Sequence, residues 1–180
     1  MPIGKKPGAI VDNSGGITMI QECTYAGALI GTTYLLIGYL EDGTGWSDKT
    51  PRNKKIDETG GVVKSTLGDR EVMIEGSFMQ SDKDLLDLLG DSCRDKYYSV
   101  YRYEGIVNEY HQEVFFGVCQ IVPQIELKAG AKSIPFQIEV LKNSIAITIE
   151  IADLPSHAQT GADVVIAAGA YYKVVETAVT

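Results

Sequence analysis

The stretch Asp69–Gly90, DREVMIEGSFMQSDKDLLDLLG, decides the fold because its hydrophobic period changes partway along. From Arg70 to Met79 the residues alternate. Val72, Ile74, Gly76 and Phe78 fall on one face, and Glu71, Met73, Glu75 and Ser77 on the other. A period of two marks a strand with one buried face. At Gln80 the period lengthens. Ser81 is placed to accept hydrogen bonds from the free amides of a first helical turn, and Asp82 and Asp84 suit its positive end. Leu85, Leu86, Leu88 and Leu89 then form one apolar stripe, with Asp82, Lys83 and Asp87 toward water. Gly90 can take the left-handed conformation that ends a helix. The expectation is a mainly β protein, a β-sandwich or partial barrel, with one flanking α-helix over about residues 81–90.

Outward from this stretch, the chain reads as one domain over residues 1–180. That length can bury roughly 70% of its unfolded surface. Residues 1–28 mix Gly, Pro and small residues with the short apolar pieces Ala9–Val11 and Ile17–Ile20, and read as an extended N-terminal arm with at most one strand. Gly31 to Leu40 is aromatic and branched on both faces, which predicts a strand buried on both sides or covered by a partner subunit. Residues 42–68 are polar and Gly-rich, and read as a long connection. Such a connection inside one domain is usually functional or disordered. Trp46, the only tryptophan, sits in it and either contacts another surface or folds back on its own domain.

After the helix, Lys96 to Glu104 is a strand whose Tyr97, Tyr98, Tyr101 and Tyr103 hydroxyls need partners. Glu109 to Ile121 is a long strand, with Val114, Phe116 and Val118 on one face and Phe115, Gly117 and Cys119 on the other. Pro123 stops it. Residues 128–132 read as a turn. Ile134, Phe136, Ile138 and Val140 face inward on the next strand, and Ser144 to Ile151 is a further strand built on Ile145, Ile147, Ile149 and Ile151. Within residues 150–180, Val164 to Ile166 and Tyr171 to Ala178 close the chain as C-terminal strands.

Composition narrows the function. A net charge of −8 argues against a nucleic-acid-binding surface, which is normally basic. No apolar run approaches the ~18 residues that read as a membrane span. The start, Met1 to Gly8, has two lysines and no apolar core after them, so it does not read as a signal peptide. Cys23, Cys93 and Cys119 are odd in number and far apart, which favours reduced thiols over a disulfide framework. The residues for catalysis are missing too. His111 and His157 have no partner at metal-ligand spacing and fit no triad pattern. Gly43-Thr44-Gly45 lacks the rest of a phosphate-cradling loop. Asp57-Glu58 reads as a solvated pair rather than acid–base machinery, and Asp82-Lys83-Asp84 lacks the alternating ligands of a calcium loop. The expectation is no enzyme, no metal and no cofactor.

A resemblance carries the reading further. Asp57-Glu58-Thr59-Gly60-Gly61, Gly68-Asp69-Arg70 and Ile74-Glu75-Gly76-Ser77-Phe78-Met79-Gln80-Ser81-Asp82-Lys83 with the leucines after it resemble the tail tube proteins of tailed bacteriophages. Ile134-Pro135-Phe136-Gln137-Ile138-Glu139-Val140 is similar to a strand with which many of them continue, so the similarity spans roughly residues 54–142. It implies a virion structural protein, assembled in the host cytoplasm, whose six copies form a ring. The sheets would join into a continuous barrel, and stacked rings would make a conduit for DNA. It also implies tape-measure, tail-terminator and baseplate-type partners, and no membrane. The helix would lie on the outer side, packed by Leu85, Leu86, Leu88 and Leu89. The 42–68 loop would reach the next ring, with Trp46, Lys49, Arg52, Lys54, Lys55, Asp57 and Glu58 as its stacking residues.

Six copies at −8 each would carry −48 per ring, and an acidic wall would repel phosphates rather than grip them. Glu71, Glu75, Glu113, Gln137 and Glu139 are the candidate lumen residues. The alternative for these acids is the outer surface, or pairing with Lys and Arg across subunits. A related injection-system tube is a variant of the same reading. From another class, the alternative is a β-sandwich binding or adhesion module on a phage or cell surface.

Overall fold

The computed structural model describes residues 11–12, 16–37, 40, 43–79, 83–125 and 133–180. In chain order the elements begin with β1 (Val11–Asp12), β2 (Ile17–Cys23), β3 (Leu35–Leu36), β4 (Gly45–Lys49), β5 (Arg52–Ile56), β6 (Val62–Leu67) and β7 (Glu71–Phe78). The helix α1 (Lys83–Asp87) follows and runs on into a wider, π-type turn over Leu88–Ser92. Then come β8 (Tyr97–Val107), β9 (Tyr110–Ile121), β10 (Ile134–Leu141), β11 (Ile147–Ile149), β12 (Val164–Ile166) and β13 (Tyr172–Ala178).

One large antiparallel sheet dominates, in the order β3-β2-β8-β9-β10-β7-β4. Two further strands share its central edges: β1 pairs with the end of β8 beyond β2, and β13 pairs with the first half of β9 while β10 takes the second half. The hairpin joining β8 to β9 is a two-residue turn, Asn108-Glu109, with φ of 51° and 68°. Both values positive is the turn whose twist matches that of paired strands. The sheet curls. Trp46 on the edge strand β4 packs edge-on against Phe116 of β9 at 5.6 Å and Tyr172 of β13 at 4.7 Å. Arg102 of β8 reaches the same edge, donating from Nη2 to the Thr44 carbonyl at 2.8 Å and from Nη1 to Thr18 Oγ1 at 2.9 Å.

β8 and β9 are buried on both faces, so two cores form. One gathers Val72, Ile74, Phe78, Val100, Phe116, Phe136 and Ile138 with Leu85 and Leu89 of the helical segment. The other gathers Met19, Tyr34, Tyr101, Phe115 and Val118 under the small β11–β12 sheet, which contributes Ile147, Ile149, Val164 and Ile166. The expected face pattern of β9 fails at one point. Val114 and Phe116 enter the first core, but Val118 enters the second and Cys119 the first. Between the pairs Val100–Phe116 and Tyr98–Cys119, two residues of β9, Gly117 and Val118, oppose one of β8, Ser99. That bulge reverses the alternation. Gly117 sits in it, because a Cβ there would come within 2.6 Å of Asn143 Oδ1.

Other expectations need correction. Residues 17–23 are not an arm: β2 is a buried strand of the main sheet, and β1 makes a second strand in the same region. Residues 1–10 and 13–15 lie outside the described residues. The described residues of Gly31–Leu40, 31–37 and 40, do not form one strand buried on both sides. Leu35–Leu36 pair on the sheet edge and are exposed, Tyr34 and Ile37 turn inward, and Leu40 makes an isolated bridge to Phe78. The 42–68 loop is β-structure from residue 45 on: β4 belongs to the main sheet, and β5 and β6 form a separate hairpin. Of the predicted 144–151 strand, only Ile147–Ile149 pairs. Ile145 is exposed before it, and Ile151 opens a short 3-10 turn.

The helix differs as well. Gly90 does not stop it: the glycine lies within the π-type turn, and the first left-handed residue afterwards is Asp95 (φ 58°). The wider turn directs both Leu89 and Cys93 into the core. The capping residues Ser81 and Asp82, the 128–132 turn, and Glu41-Asp42 fall outside the described residues.

Candidate assembly surfaces

Three features are left without a cover by the other described residues. The first is the β5–β6 hairpin. Every described side chain of its two strands is exposed, including Ile56, Val62 and Leu67 at 62%, 55% and 68%. A two-stranded hairpin alone in water is marginal, so its ends must hold it. Asp57 organises the tip: one carboxylate oxygen accepts from the Thr59 hydroxyl at 2.7 Å, the Gly61 amide at 2.8 Å and the Thr59 amide at 2.9 Å. The Thr59 hydroxyl, followed by these amides, holds the Asp57 carboxyl below its ordinary value. At the root, the Gly68 amide donates to the Pro51 carbonyl at 2.7 Å.

Beside that root, Arg70 bonds both oxygens of Asp48, with Nε to Oδ1 at 2.8 Å, and Tyr172 donates to Asp48 Oδ2 at 2.8 Å. The Arg70 guanidinium also stacks 4.7 Å over the Tyr171 ring. The hydrogen bond from Arg70 is the main reason that the Asp48 carboxyl sits below its usual range. The hairpin is thus clamped to β13 on either side of its exit.

Charge on the hairpin is one-sided. Arg52, Lys54, Lys55 and Lys64 are the charged residues of its strands, and its acids Asp57 and Glu58 lie in the turn. Lys55 and Lys64 stand directly opposite each other. Like charges across a ladder destabilise it, so this pair costs the isolated chain stability. Of the predicted stacking residues, Arg52, Lys54, Lys55, Asp57 and Glu58 are on the hairpin. Trp46 and Lys49 are not: they belong to β4, and Trp46 folds back on its own domain.

The second feature is the outer face of β7 and β10. The register Gln137–Glu75 and Glu139–Met73 puts Glu71, Glu75, Gln137 and Glu139 on one face, and Gln137 Nε2 donates to Glu75 Oε1 at 3.0 Å. The opposite face of the same two strands carries Val72, Ile74, Phe136 and Ile138 against Leu85 and Leu89. Leu86 and Leu88 are half-buried at the margin of that packing. Acids and helix therefore lie on opposite faces of this part of the sheet.

Glu113, expected among the lumen residues, does not belong there. It is fully buried on β9. Its Oε1 accepts from the Tyr101 hydroxyl and from the Gln159 amide, both at 2.8 Å. Tyr101 also donates to the His157 carbonyl at 3.2 Å. Glu113 ties the 155–163 loop to the sheet, a role that alternation alone could not reveal because β9 is buried on both faces.

The third feature is a groove of about 460 Å³ between β3 and the helical segment, lined by Ile30, Leu35, Leu36, Asp84, Leu88 and Tyr98 among others. Lys96 at its rim bonds Glu22 at 3.0 Å. From the sequence, Leu35 and Leu36 are expected to be buried on both sides or covered by a partner subunit; both are exposed in the single chain.

Chemistry elsewhere is sparse. Burial raises all three thiols, Cys23 to about 12. His111 Nδ1 pairs with the Tyr103 hydroxyl at 2.9 Å. No group of three metal-binding side chains occurs among the described residues, and none of their helices is long and apolar enough to cross a membrane. No protein-family model matches the chain, and neither does any curated protein.

Proposed function

We propose that the protein is a self-assembling structural subunit of a phage tail tube, its copies joining into hexameric rings that stack into a conduit for DNA. The observation that carries this reading is the β5–β6 hairpin. It is a clamped projection on which Ile56, Val62 and Leu67 are exposed and two lysines stand opposite each other, and no other described residue covers it. Such an element gains its stability from a partner, and the tail-tube resemblance assigns that partner to the adjacent ring.

The sidedness of β7–β10 supports the rest. With the helix outward, the acids Glu71, Glu75 and Glu139 face the lumen, where they repel DNA phosphates within the roughly 8–10 Å that salt allows. Joining sheet edges between copies also removes open edges that would otherwise invite aggregation. The test is to replace residues 52–67 by a short Gly/Ser link between Pro51 and Gly68, whose backbones already meet. The subunit is expected to fold and form rings that do not stack. Tubes of normal length from this variant would refute the stacking role.

A further inference from the structure

Resting on that reading, we propose that the groove between β3 and the helical segment is the acceptor for the β5–β6 hairpin of a second copy. Strand alternation puts Arg52, Lys54 and Ile56 on one face of the hairpin, and their partners across the ladder are Leu67, Ser65 and Val62. That face is mixed: the pairs Arg52–Leu67 and Ile56–Val62 flank Lys54–Ser65, so two cations stand among three apolar side chains. The ladder is irregular between Lys55 and Ile56. The groove offers the complement: Ile30, Leu35 and Leu36 are exposed at 51%, 65% and 58%. Among the described residues its charged lining is Glu22, Asp84 and Lys96, two acids against one base. Lys96 is engaged by Glu22, which leaves Asp84 facing whatever enters.

The two surfaces sit at opposite ends of the sheet. β7 begins at the hairpin root and ends at the approach to the helix, eight residues later. At about 3.3 Å per residue that is on the order of 25 Å. A contact between different patches at opposite ends is head-to-tail, and a head-to-tail contact that translates along the ring axis without closing a rotation propagates into an open stack. A hairpin whose exit is clamped by Asp48, Arg70 and Tyr172 enters such a groove with little ordering left to do.

Leu36→Lys puts a cation where the basic hairpin would dock, on a side chain already facing water, so the melt should stay that of the wild type. Ile30→Lys repeats the test at a second position, and Ile145→Lys controls for an exposed isoleucine elsewhere. By electron microscopy and sedimentation, the two groove variants are expected to give single rings and the control normal stacks. Mixing Leu36→Lys rings, which keep a hairpin, with rings carrying the 52–67 replacement, which keep a groove, should give double rings and nothing longer. If Leu36→Lys and Ile30→Lys stack like the wild type while the hairpin replacement does not, the hairpin docks elsewhere. The groove assignment then fails and the tube reading stands. Equal loss of stacking in Ile145→Lys also overturns the assignment. Wild-type protein that never forms rings overturns both.

Discussion

At the scale of single residues, burial separates side chains that the sequence pattern treated alike. The four leucines after Asp84 form one stripe by spacing, yet Leu89 is wholly enclosed and Leu88 only half so. Leu89→Ala should cost about 2–5 kcal/mol by leaving a cavity, Leu88→Ala clearly less, and Asp87→Ala within about 0.5 kcal/mol. Denaturant melts of the three variants check that order. Asp48 gives a pH test. Its carboxyl is held below the ordinary value of 3.8 by Arg70 and Tyr172. The stability it contributes is therefore present above that pH and is lost as the pH falls through the lowered value. Protease cleavage within 52–67 should accelerate as the pH drops below about 4. Asp48→Asn should show faster cleavage at neutral pH and a weaker acid response. Asp57 titrates in the same direction and leaves a residual response in that variant.

At the scale of elements, most strands were legible. Glu71–Phe78 and Ile134–Leu141 alternate cleanly because one face of each is wet. The regions misread were those where alternation carries no information. β9 is apolar on both faces, so neither its bulge at Gly117 nor the burial of Glu113 left a trace in the pattern. The hairpin was hidden for the opposite reason: it has no buried face, and an exposed polar strand pair reads as a loop. Trp46 could be placed only by tertiary structure, since its partners Phe116 and Tyr172 are 70 or more residues away. The helix was found in the right place, but its end was misjudged because a widened turn keeps Gly90 helical. The cysteines supply a check on the elements around them. Cys23, Cys93 and Cys119 lie in the core with raised thiols. An aqueous thiol reagent should label none of them in the native state and all three after denaturation. Rapid native labelling of Cys93 would mean that the helical segment opens from the sheet.

At the scale of the whole molecule, two cores share one curled sheet, and three surfaces are left over among the described residues: a projecting hairpin, an acidic face and the groove beside β3. Changing Glu71, Glu75 and Glu139 together to lysine should leave the subunit folded, because all three are exposed. In a tube that passes DNA, the change should slow genome ejection or leave DNA bound in the lumen, most clearly at low ionic strength. Unchanged ejection would place those acids on the outside of the tube. The central claim, that this chain is built to assemble with copies of itself, is tested most directly by negative-stain electron microscopy of the purified protein over a rising concentration series. The account predicts six-fold rings, stacking into tubes at the upper concentrations. A protein that stays monomeric up to millimolar concentration, with no ring in any field, would contradict it.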